Sequence, residues 1–245
     1  MYLKADPGSR YMRDASNNSD VKTFVNILLF FYKTRRSFFD YLVMFLRGNT
    51  TPLDPKSLKN WLVYSAPRSN KEGVFEPPPY FAEMSQALAH IYSQGETALK
   101  FRRGAIVELF TRRLVCGHCD ENECVNNHCF VEGPQSSEQV DVVVLSDARQ
   151  EIEGYTCKMN PERLKETDCT NLIKVASLAD QNGYKAHVGA VCFRKTREIE
   201  RKMKKLSEEK SEEYSIDNLS ELIKAYGLDN LDELEKGPFS SSEKR

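Results

Sequence analysis

The chain has 245 residues, 40% of them hydrophobic, and its 35 basic and 36 acidic residues give a net charge of −1. This length is enough for one sizeable domain or two small ones. The seven cysteines are an odd number, and three of them fall in predicted strands or a helix: Cys157, Cys169 and Cys192. This pattern argues against a disulfide scaffold, and we expect a reducing, cytoplasmic compartment.

Residues 1–100 are predicted to form a mostly helical N-terminal region. The chain opens with polar residues and no apolar core, so we expect no signal peptide. An apolar run at 24–46 is interrupted, well short of a membrane span, by four charged residues: Lys33, Arg35, Arg36 and Asp40. The run therefore predicts one or two buried helices in a soluble protein without membrane attachment.

Charge is unevenly distributed along the chain. Residues 1–115 carry 17 basic and 10 acidic residues, whereas residues 116–245 carry 18 and 26. A basic, helical first half can offer a surface to a phosphate backbone, although charge runs are more often solvated faces. The arginines expected to contact nucleic acid are Arg102, Arg103, Arg112 and Arg113.

An amphipathic pattern predicts a helix from Phe101 to Val115. Its apolar residues recur at helical spacing and form one stripe, which comprises Ile106, Leu109, Phe110 and Leu114. Glu108 lies in the middle of this helix, one residue from the stripe, where its carboxylate could face the strands that follow.

Four cysteines come next, at the spacing Cys-x2-Cys-x4-Cys-x4-Cys: Cys116, Cys119, Cys124 and Cys129. Thiolates at this spacing on a loop can bind one zinc ion tetrahedrally, and His118 or His128 could replace one of them. The spacing is similar to that of the retroviral-type zinc knuckle, with Cys124 where the knuckle has histidine. Buried free cysteines or a disulfide are the alternatives. Zinc is favoured over an iron–sulfur cluster, because such clusters have different characteristic spacings.

Residues 141–158 predict a β-hairpin. A β-branched apolar run is followed by the turn residues SDARQ and by a second run with strand propensity. A strand over HCFVEG is expected before this hairpin, and a helix that stops at Gly183 and a further strand are expected after it. The order helix, three strands, helix, strand predicts an α/β domain with a sheet packed between helices.

This arrangement resembles the core of the restriction-endonuclease-like, or PD-(D/E)XK, nuclease superfamily over residues 101–193. In that superfamily a helix carries a glutamate, a hairpin carries an aspartate, and the next strand carries an acidic-x-Lys triplet. Glu108, Asp141 and Lys158 match these positions. The resemblance implies a restriction-endonuclease-like core and a nuclease dependent on Mg²⁺ or Mn²⁺, with DNA as the expected substrate. Glu108 and Asp141 would bind the metal, and Lys158 would position or activate the attacking water.

One position departs from the family pattern. The residue two before Lys158 is Thr156, which has no carboxylate, and strand alternation places Glu153 on the opposite face. A β-bulge at Gly154 could turn Glu153 into the site. Alternatively, the two other carboxylates bind the metal with help from Thr156 and water, or catalysis has been lost.

Residues 194–245 are highly charged and predict a helical C-terminal extension. A homodimer or a protein partner bound through these helices is left open. The chain is thus predicted to have three regions, residues 1–100, 101–193 with a metal-binding loop at 116–129, and 194–245. Its predicted function is that of a metal-dependent nuclease. The alternative is a catalytically inactive nuclease-fold module with a structural zinc site, which binds nucleic acid or protein.

Overall fold

The computed structural model describes residues 2–5, 10–64, 76–119, 123–132, 135–136, 139–208 and 219–238. The chain forms two compact units, one of residues 1–7 with 111–245 and the other of residues 8–110. The boundary between them falls inside one long helix.

The unit of residues 8–110 is helical throughout its described part. Its helices are α1 (Arg10–Asn17), α2 (Ser19–Thr34), α3 (Arg36–Gly48), α4 (Pro55–Tyr64), α5 (Phe81–Tyr92) and most of α6 (Glu96–Val115). The apolar run at 24–46 is confirmed as two helices, α2 and α3, because the chain leaves helical geometry at Arg35 (φ −151°). Both helices bury aromatic side chains, including Phe24, Phe31, Phe38 and Phe45. None of the described helices combines the length and the apolarity needed to cross a membrane.

The other unit is built on a mixed β-sheet. Its described strands are β1 (Tyr2–Ala5), β2 (Cys124–Glu132), β3 (Gln135–Ser136), β4 (Val140–Ser146), β5 (Glu151–Lys158), β6 (Lys185–Cys192) and β7 (Lys224–Tyr226). They are ordered β1-β2-β4-β5-β6-β7, with β3 paired to β2. The pairs from β1 to β5 are antiparallel, whereas β5–β6 and β6–β7 are parallel.

Helices cover this sheet. They are α7 (Glu166–Gln181), α8 (Thr196–Glu208), α9 (Leu219–Leu222), α10 (Leu231–Lys236) and a short 3₁₀ helix at Pro161–Arg163. α7 connects the parallel strands β5 and β6 and packs on both of them, with Leu172 and Val175 buried against Ile152 and Val188. Burying each such side chain stabilises the fold by about 1.5–3 kcal/mol. The helix ends as predicted at Gly183, whose φ of 75° suits glycine.

These elements confirm the predicted α/β class, a mixed sheet flanked by helices. The order α6, β2, β4, β5, α7, β6 follows the predicted succession of helix, three strands, helix and strand, and the two-residue β3 is an addition between β2 and β4. Asp141 and Lys158 lie on adjacent, hydrogen-bonded strands of one sheet, as the hairpin pattern predicted.

Gly189 in β6 lies where two aromatic rings leave no room for a side chain. A Cβ atom there would be 2.9 Å from Cε2 of Tyr226 and 3.0 Å from Cδ1 of Tyr155. We expect Gly189→Ala to lower the free energy of unfolding by about 1–3 kcal/mol, because both rings belong to a packed layer that must shift. Urea denaturation measures this, with Gly95→Ala as the control, since a Cβ at Gly95 meets nothing within 4 Å. Equal unfolding midpoints for the two variants would contradict the packing described here.

Candidate functional site

Asp141 is the centre of a polar cluster at one end of the β4–β5 hairpin. Its Oδ2 atom accepts hydrogen bonds from the backbone N–H of Cys157 at 2.7 Å, from Oγ1 of Thr156 at 3.2 Å and from Nζ of Lys158 at 3.4 Å. The ladder of paired residues between β4 and β5 begins at Val142, so Asp141 lies just beyond its end. The Asp141 carboxylate therefore bonds the Cys157 amide where the ladder has ended. This local geometry holds the carboxylate beside Lys158.

Asp168 completes the cluster, and the sequence analysis did not identify it. Its Oδ1 lies 3.1 Å from Nζ of Lys158, and its Oδ2 accepts a hydrogen bond from the backbone N–H of Lys165 at 2.8 Å. Asp168 is in the first turn of α7, which follows β5 after a short connection. The signal that could have found it is the short connection, which returns the start of α7 to the end of β5.

The Lys158 ammonium is thus held between two carboxylates. Its side chain is 22% exposed, and those of Asp141 and Asp168 are 19% and 21% exposed. Burial acts to lower the pKa of Lys158, but the charges of Asp141 and Asp168 outweigh it, and the pKa is raised above its ordinary value. Lys158 therefore stays protonated, so it can donate hydrogen bonds and neutralise negative charge, but it is not poised to accept a proton.

Glu153 lies on the opposite face of the sheet from this cluster. The pairing of β5 with β4 and with β6 runs without interruption through Gly154, so there is no bulge. The interpretation that a bulge turns Glu153 toward Lys158 is therefore wrong. The sheet is regular here because β5 is paired on both sides, and regular alternation sends Glu153 and Lys158 to different faces.

On its own face, Glu153 is the centre of a second polar cluster. Its side chain is 1% exposed. Nε2 of His118 lies 2.9 Å from its Oε1, and the hydroxyl of Tyr155 donates to its Oε2 at 2.5 Å. The other ring nitrogen of His118, Nδ1, lies 3.3 Å from the carbonyl oxygen of Glu235. Burial acts to lower the pKa of His118, but the hydrogen bond and charge of Glu153 raise it overall.

Removal of the Glu153 carboxylate should affect stability rather than nucleic-acid chemistry. We expect Glu153→Ala to lower the free energy of unfolding by about 3–5 kcal/mol, because it leaves the buried Tyr155 hydroxyl and the half-buried His118 ring without their acceptor. Urea denaturation checks this. Glu151→Ala on the same strand is the control, and since Glu151 pairs with the exposed Arg149, its cost should stay at or below about 1 kcal/mol. Unchanged stability combined with loss of a chemical activity would contradict this assignment.

Glu108, the third residue matched to the nuclease pattern, is 4% exposed in α6. It belongs to the helical unit of residues 8–110. Its burial is consistent with the predicted position near the apolar stripe.

The four arginines predicted to contact nucleic acid occupy different settings. Arg103 donates from Nε and a terminal nitrogen to the carbonyl of Leu46, and Arg102 donates to the carbonyl of His90. Arg112 donates to the carbonyl of Cys124 at 3.0 Å. Arg113 is exposed. Three of the four guanidinium groups therefore already bind backbone carbonyls within their own unit.

Three of the predicted zinc ligands come together. The Sγ atoms of Cys116, Cys119 and Cys124 lie within 4.8 Å of one another. Cys116 and Cys119 are in the tight turn after α6, and Cys124 begins β2. A zinc–sulfur bond of about 2.3 Å in a tetrahedron places sulfur atoms roughly 3.8 Å apart. This cysteine trio therefore has a spacing suited to a metal ion such as zinc.

The three thiols of the trio also shift one another's pKa values. Hydrogen bonds from the Cys119 and Cys124 thiols lower the pKa of Cys116 to about 3, and those same bonds contribute to the raised pKa values of the other two. The thiols of Cys119 and Cys124, whose pKa values are raised, keep their protons and donate to the carbonyl oxygens of Val115 and Arg112. A cation replaces these protons when it binds, because zinc takes cysteine as thiolate.

The fourth ligand is not among the described side chains near the trio. Neither His118 nor His128 joins the group in the described part of the chain. The ring of His118 bonds Glu153 and Glu235, and Nδ1 of His128 donates to the carbonyl of Asn126 at 2.7 Å. The backbone of Cys129 lies in β2, but its side chain lies outside the described residues.

No family model matches this chain, and no curated protein matches it significantly. The two polar clusters and the cysteine trio are therefore the basis for assigning a function.

Proposed function

We propose that this chain is a divalent-metal-dependent nuclease of the PD-(D/E)XK type, which hydrolyses phosphodiester bonds of nucleic acid, with DNA as the expected substrate. The observation that carries the proposal is the contact between Asp141 and Lys158 at the end of a β-hairpin, where Oδ2 of Asp141 lies 3.4 Å from Nζ of Lys158. The order of helix, three strands, helix and strand around that hairpin supports it. Both features belong to the pattern that this superfamily uses for phosphodiester hydrolysis.

A magnesium ion fits the donors of this cluster. Mg²⁺ in proteins is usually bound by one or two carboxylates and keeps several waters. Asp141 and Asp168 supply two carboxylates beside Lys158, while Thr156 adds a hydroxyl and no charge. Among the described residues, carboxylates do not form a group of three at metal-binding distances. Asp141 and Asp168 would therefore hold the ion largely through water. The ion would supply Lewis-acid activation of the phosphate and a water of lowered pKa.

Lys158 has a defined role in this proposal. Its raised pKa keeps it as an ammonium. It would donate hydrogen bonds to the attacking water or to a phosphate oxygen and would stabilise the negative charge that develops there. Asp141 and Asp168 would fix the direction of the ammonium, because each is within 3.4 Å of Nζ.

A second candidate function has its own support. Thr156 occupies the acidic position of the triplet, and the Lys158 ammonium is already neutralised by two carboxylates. Both observations favour an inactive nuclease-fold module that binds nucleic acid or protein without cleaving it. The two candidates make opposite predictions about cleavage.

Purified protein incubated with labelled duplex DNA, single-stranded DNA and RNA, in separate reactions with Mg²⁺ and Mn²⁺, distinguishes these candidates. We expect shortened or nicked products with at least one substrate. Binding without cleavage in every reaction would overturn the nuclease proposal in favour of the binding module.

We further propose that the cysteine trio holds a structural zinc ion. Its member Cys124 pairs in register with Val144, which pairs with Glu153, so Cys124 lies on the Glu153 face of the sheet. The zinc would thus be on the opposite face from Asp141 and Lys158. His118, which lies in the same turn as Cys116 and Cys119, would supply the fourth ligand. Cys129 and His128 were the other candidates, but they lie along β2 at roughly 16 and 13 Å from Cys124, at the usual rise per residue of a strand. In this position the ion would tie the end of α6 to the start of β2.

A further inference from the structure

A basic pocket lies beside the proposed site, between the segment that follows β5 and one face of α8. Its volume is about 340 Å³. The lining residues are Asn160, Pro161, Glu162, Arg163, Arg194, Glu198, Arg201, Lys202 and Lys205. Five of these side chains are basic and two are acidic, which gives the lining a formal charge of +3.

The sequence of α8 explains this concentration of charge. Glu198, Arg201, Lys202 and Lys205 recur at spacings of three and four, so they share one helical face, next to the face that buries Ile199 and Met203. Across the pocket, Arg194 donates from Nε to Oδ1 of Asn160 at 3.1 Å. This bond joins the two walls. The sequence alone predicts this segment only as part of a highly charged, helical C-terminal extension.

The pocket and the Asp141–Lys158 cluster are at the same end of the sheet. Lys158 and Cys192, the last residues of β5 and β6, are paired in register. The pocket is lined by Asn160–Arg163 and by Arg194, so both of its walls begin within two residues of those strand ends. Ligand sites in open α/β sheets commonly lie outside the carboxyl ends of parallel strands.

We propose that this pocket binds a backbone phosphate of the nucleic acid and so positions the strand at Lys158. The inference rests on the proposed function, since it names the substrate-binding part of the same site. Arginine binds phosphate oxygens through parallel N–H donors, and three arginines line this pocket. The volume falls within the range of about 300–1,000 Å³ that is usual for ligand pockets.

The two acidic residues refine the chemistry of the ligand. Glu198 accepts from the backbone N–H of Lys195 at 3.4 Å and lies 3.7 Å from a terminal nitrogen of Arg194. The Glu198 carboxylate thus offsets part of the positive charge of the basic residues, and the net positive charge of the pocket is moderate. A phosphodiester carries a single negative charge, which a lining with a formal charge of +3 neutralises. Free phosphate, which carries a larger negative charge, is an outcome of the test below.

The test compares two charge-matched double variants of α8. Arg201→Gln with Lys202→Gln removes two cations of the pocket, and Arg197→Gln with Lys204→Gln removes two that do not line it. Binding of fluorescein-labelled duplex and single-stranded oligonucleotides is measured by anisotropy at several salt concentrations, without added divalent ions. We expect the pocket variant to bind at least about tenfold more weakly. Its salt slope should fall by about 0.9 for duplex DNA, which is the value for one lost phosphate contact. The control should change much less.

Three results would overturn the inference. The first is an equal loss of oligonucleotide affinity in both double variants, which would indicate that binding depends on the overall positive charge of α8. The second is unchanged oligonucleotide affinity in the pocket variant. The third is stabilisation of the wild type, but not of the pocket variant, by inorganic phosphate in thermal unfolding while all proteins bind oligonucleotides equally. That result would indicate a site for free phosphate.

The two proposals can fail separately. If the pocket variant loses binding while the wild type binds but never cleaves, the pocket stands and the nuclease proposal falls. If the pocket variant binds and cleaves as the wild type does, and cleavage still requires Asp141, the nuclease proposal stands and the pocket inference falls.

Discussion

Replacement of Asp141 by asparagine is expected to reduce the rate of phosphodiester cleavage by roughly 10²- to 10⁴-fold, the range typical for loss of a group that stabilises charge in a transition state. Asparagine keeps an oxygen that can accept the Cys157 N–H, now 2.7 Å from Oδ2 of Asp141. The fold should therefore persist. The variant loses the negative charge that holds Lys158 and would hold the metal.

The rate should fall more than binding does. An interaction that acts mainly in the transition state lowers kcat while it leaves substrate affinity nearly unchanged. Initial rates with a labelled oligonucleotide, measured beside its dissociation constant, separate the two effects. Lys158→Met should give a loss of similar size, because it removes the ammonium between Asp141 and Asp168. If Asp141→Asn cleaves as fast as the wild type, the cleavage does not come from this cluster.

Thr156→Glu provides a change in the opposite direction. Thr156 is 5% exposed and contacts Asp141 through Oγ1, so a glutamate there would restore the acidic-x-Lys triplet beside Lys158. If the proposed site is active but weakened, metal affinity and cleavage rate should both rise. A protein that gains neither would indicate that the carboxylates of this cluster do not bind the catalytic metal.

The parts of this site that the sequence predicted are local. The β4–β5 hairpin depends on a β-branched run, a turn and a second strand within 18 residues, and alternation alone then places Thr156 and Lys158 on one face. The cysteine trio was likewise predictable, because its members fall within nine residues. Both predictions needed no knowledge of which distant segments pack together.

The parts that the sequence did not predict depend on pairing between distant segments. A bulge in β5 would have turned Glu153 toward Lys158. The bulge is absent because β5 pairs without interruption with β6, which is more than 30 residues away in the sequence. Asp168 reaches Lys158 only because α7 starts next to the end of β5. The basic pocket combines residues 160–163 with 194–205, and no local pattern relates these two segments.

Loss of the cysteine trio is the second large effect that we expect. Purified wild-type protein should contain about one zinc ion per chain, and Cys116→Ser or Cys119→Ser should reduce this to a small fraction. Structural zinc contributes strongly to folding, with binding free energies of about 10–16 kcal/mol in zinc-finger peptides. The melting temperature of these variants should therefore fall, and a strong chelator should lower that of the wild type. Elemental analysis and thermal unfolding measure the two effects.

Cys169→Ala is the matched control, because Cys169 is also a buried free cysteine but belongs to the core under α7. This variant should lose some stability and keep its zinc. Alanine at His118 tests the fourth ligand and should lower the zinc content. Serine at Cys129 and alanine at His128 should leave it unchanged, because both residues lie several positions along β2 from Cys124. A wild-type protein without metal, or with a disulfide among these cysteines, would contradict the zinc proposal. A brown preparation with visible absorption would show instead that the thiolates bind an iron–sulfur cluster.

Because the trio lies on the Glu153 face, zinc loss should reduce cleavage only in proportion to the fraction of protein that unfolds.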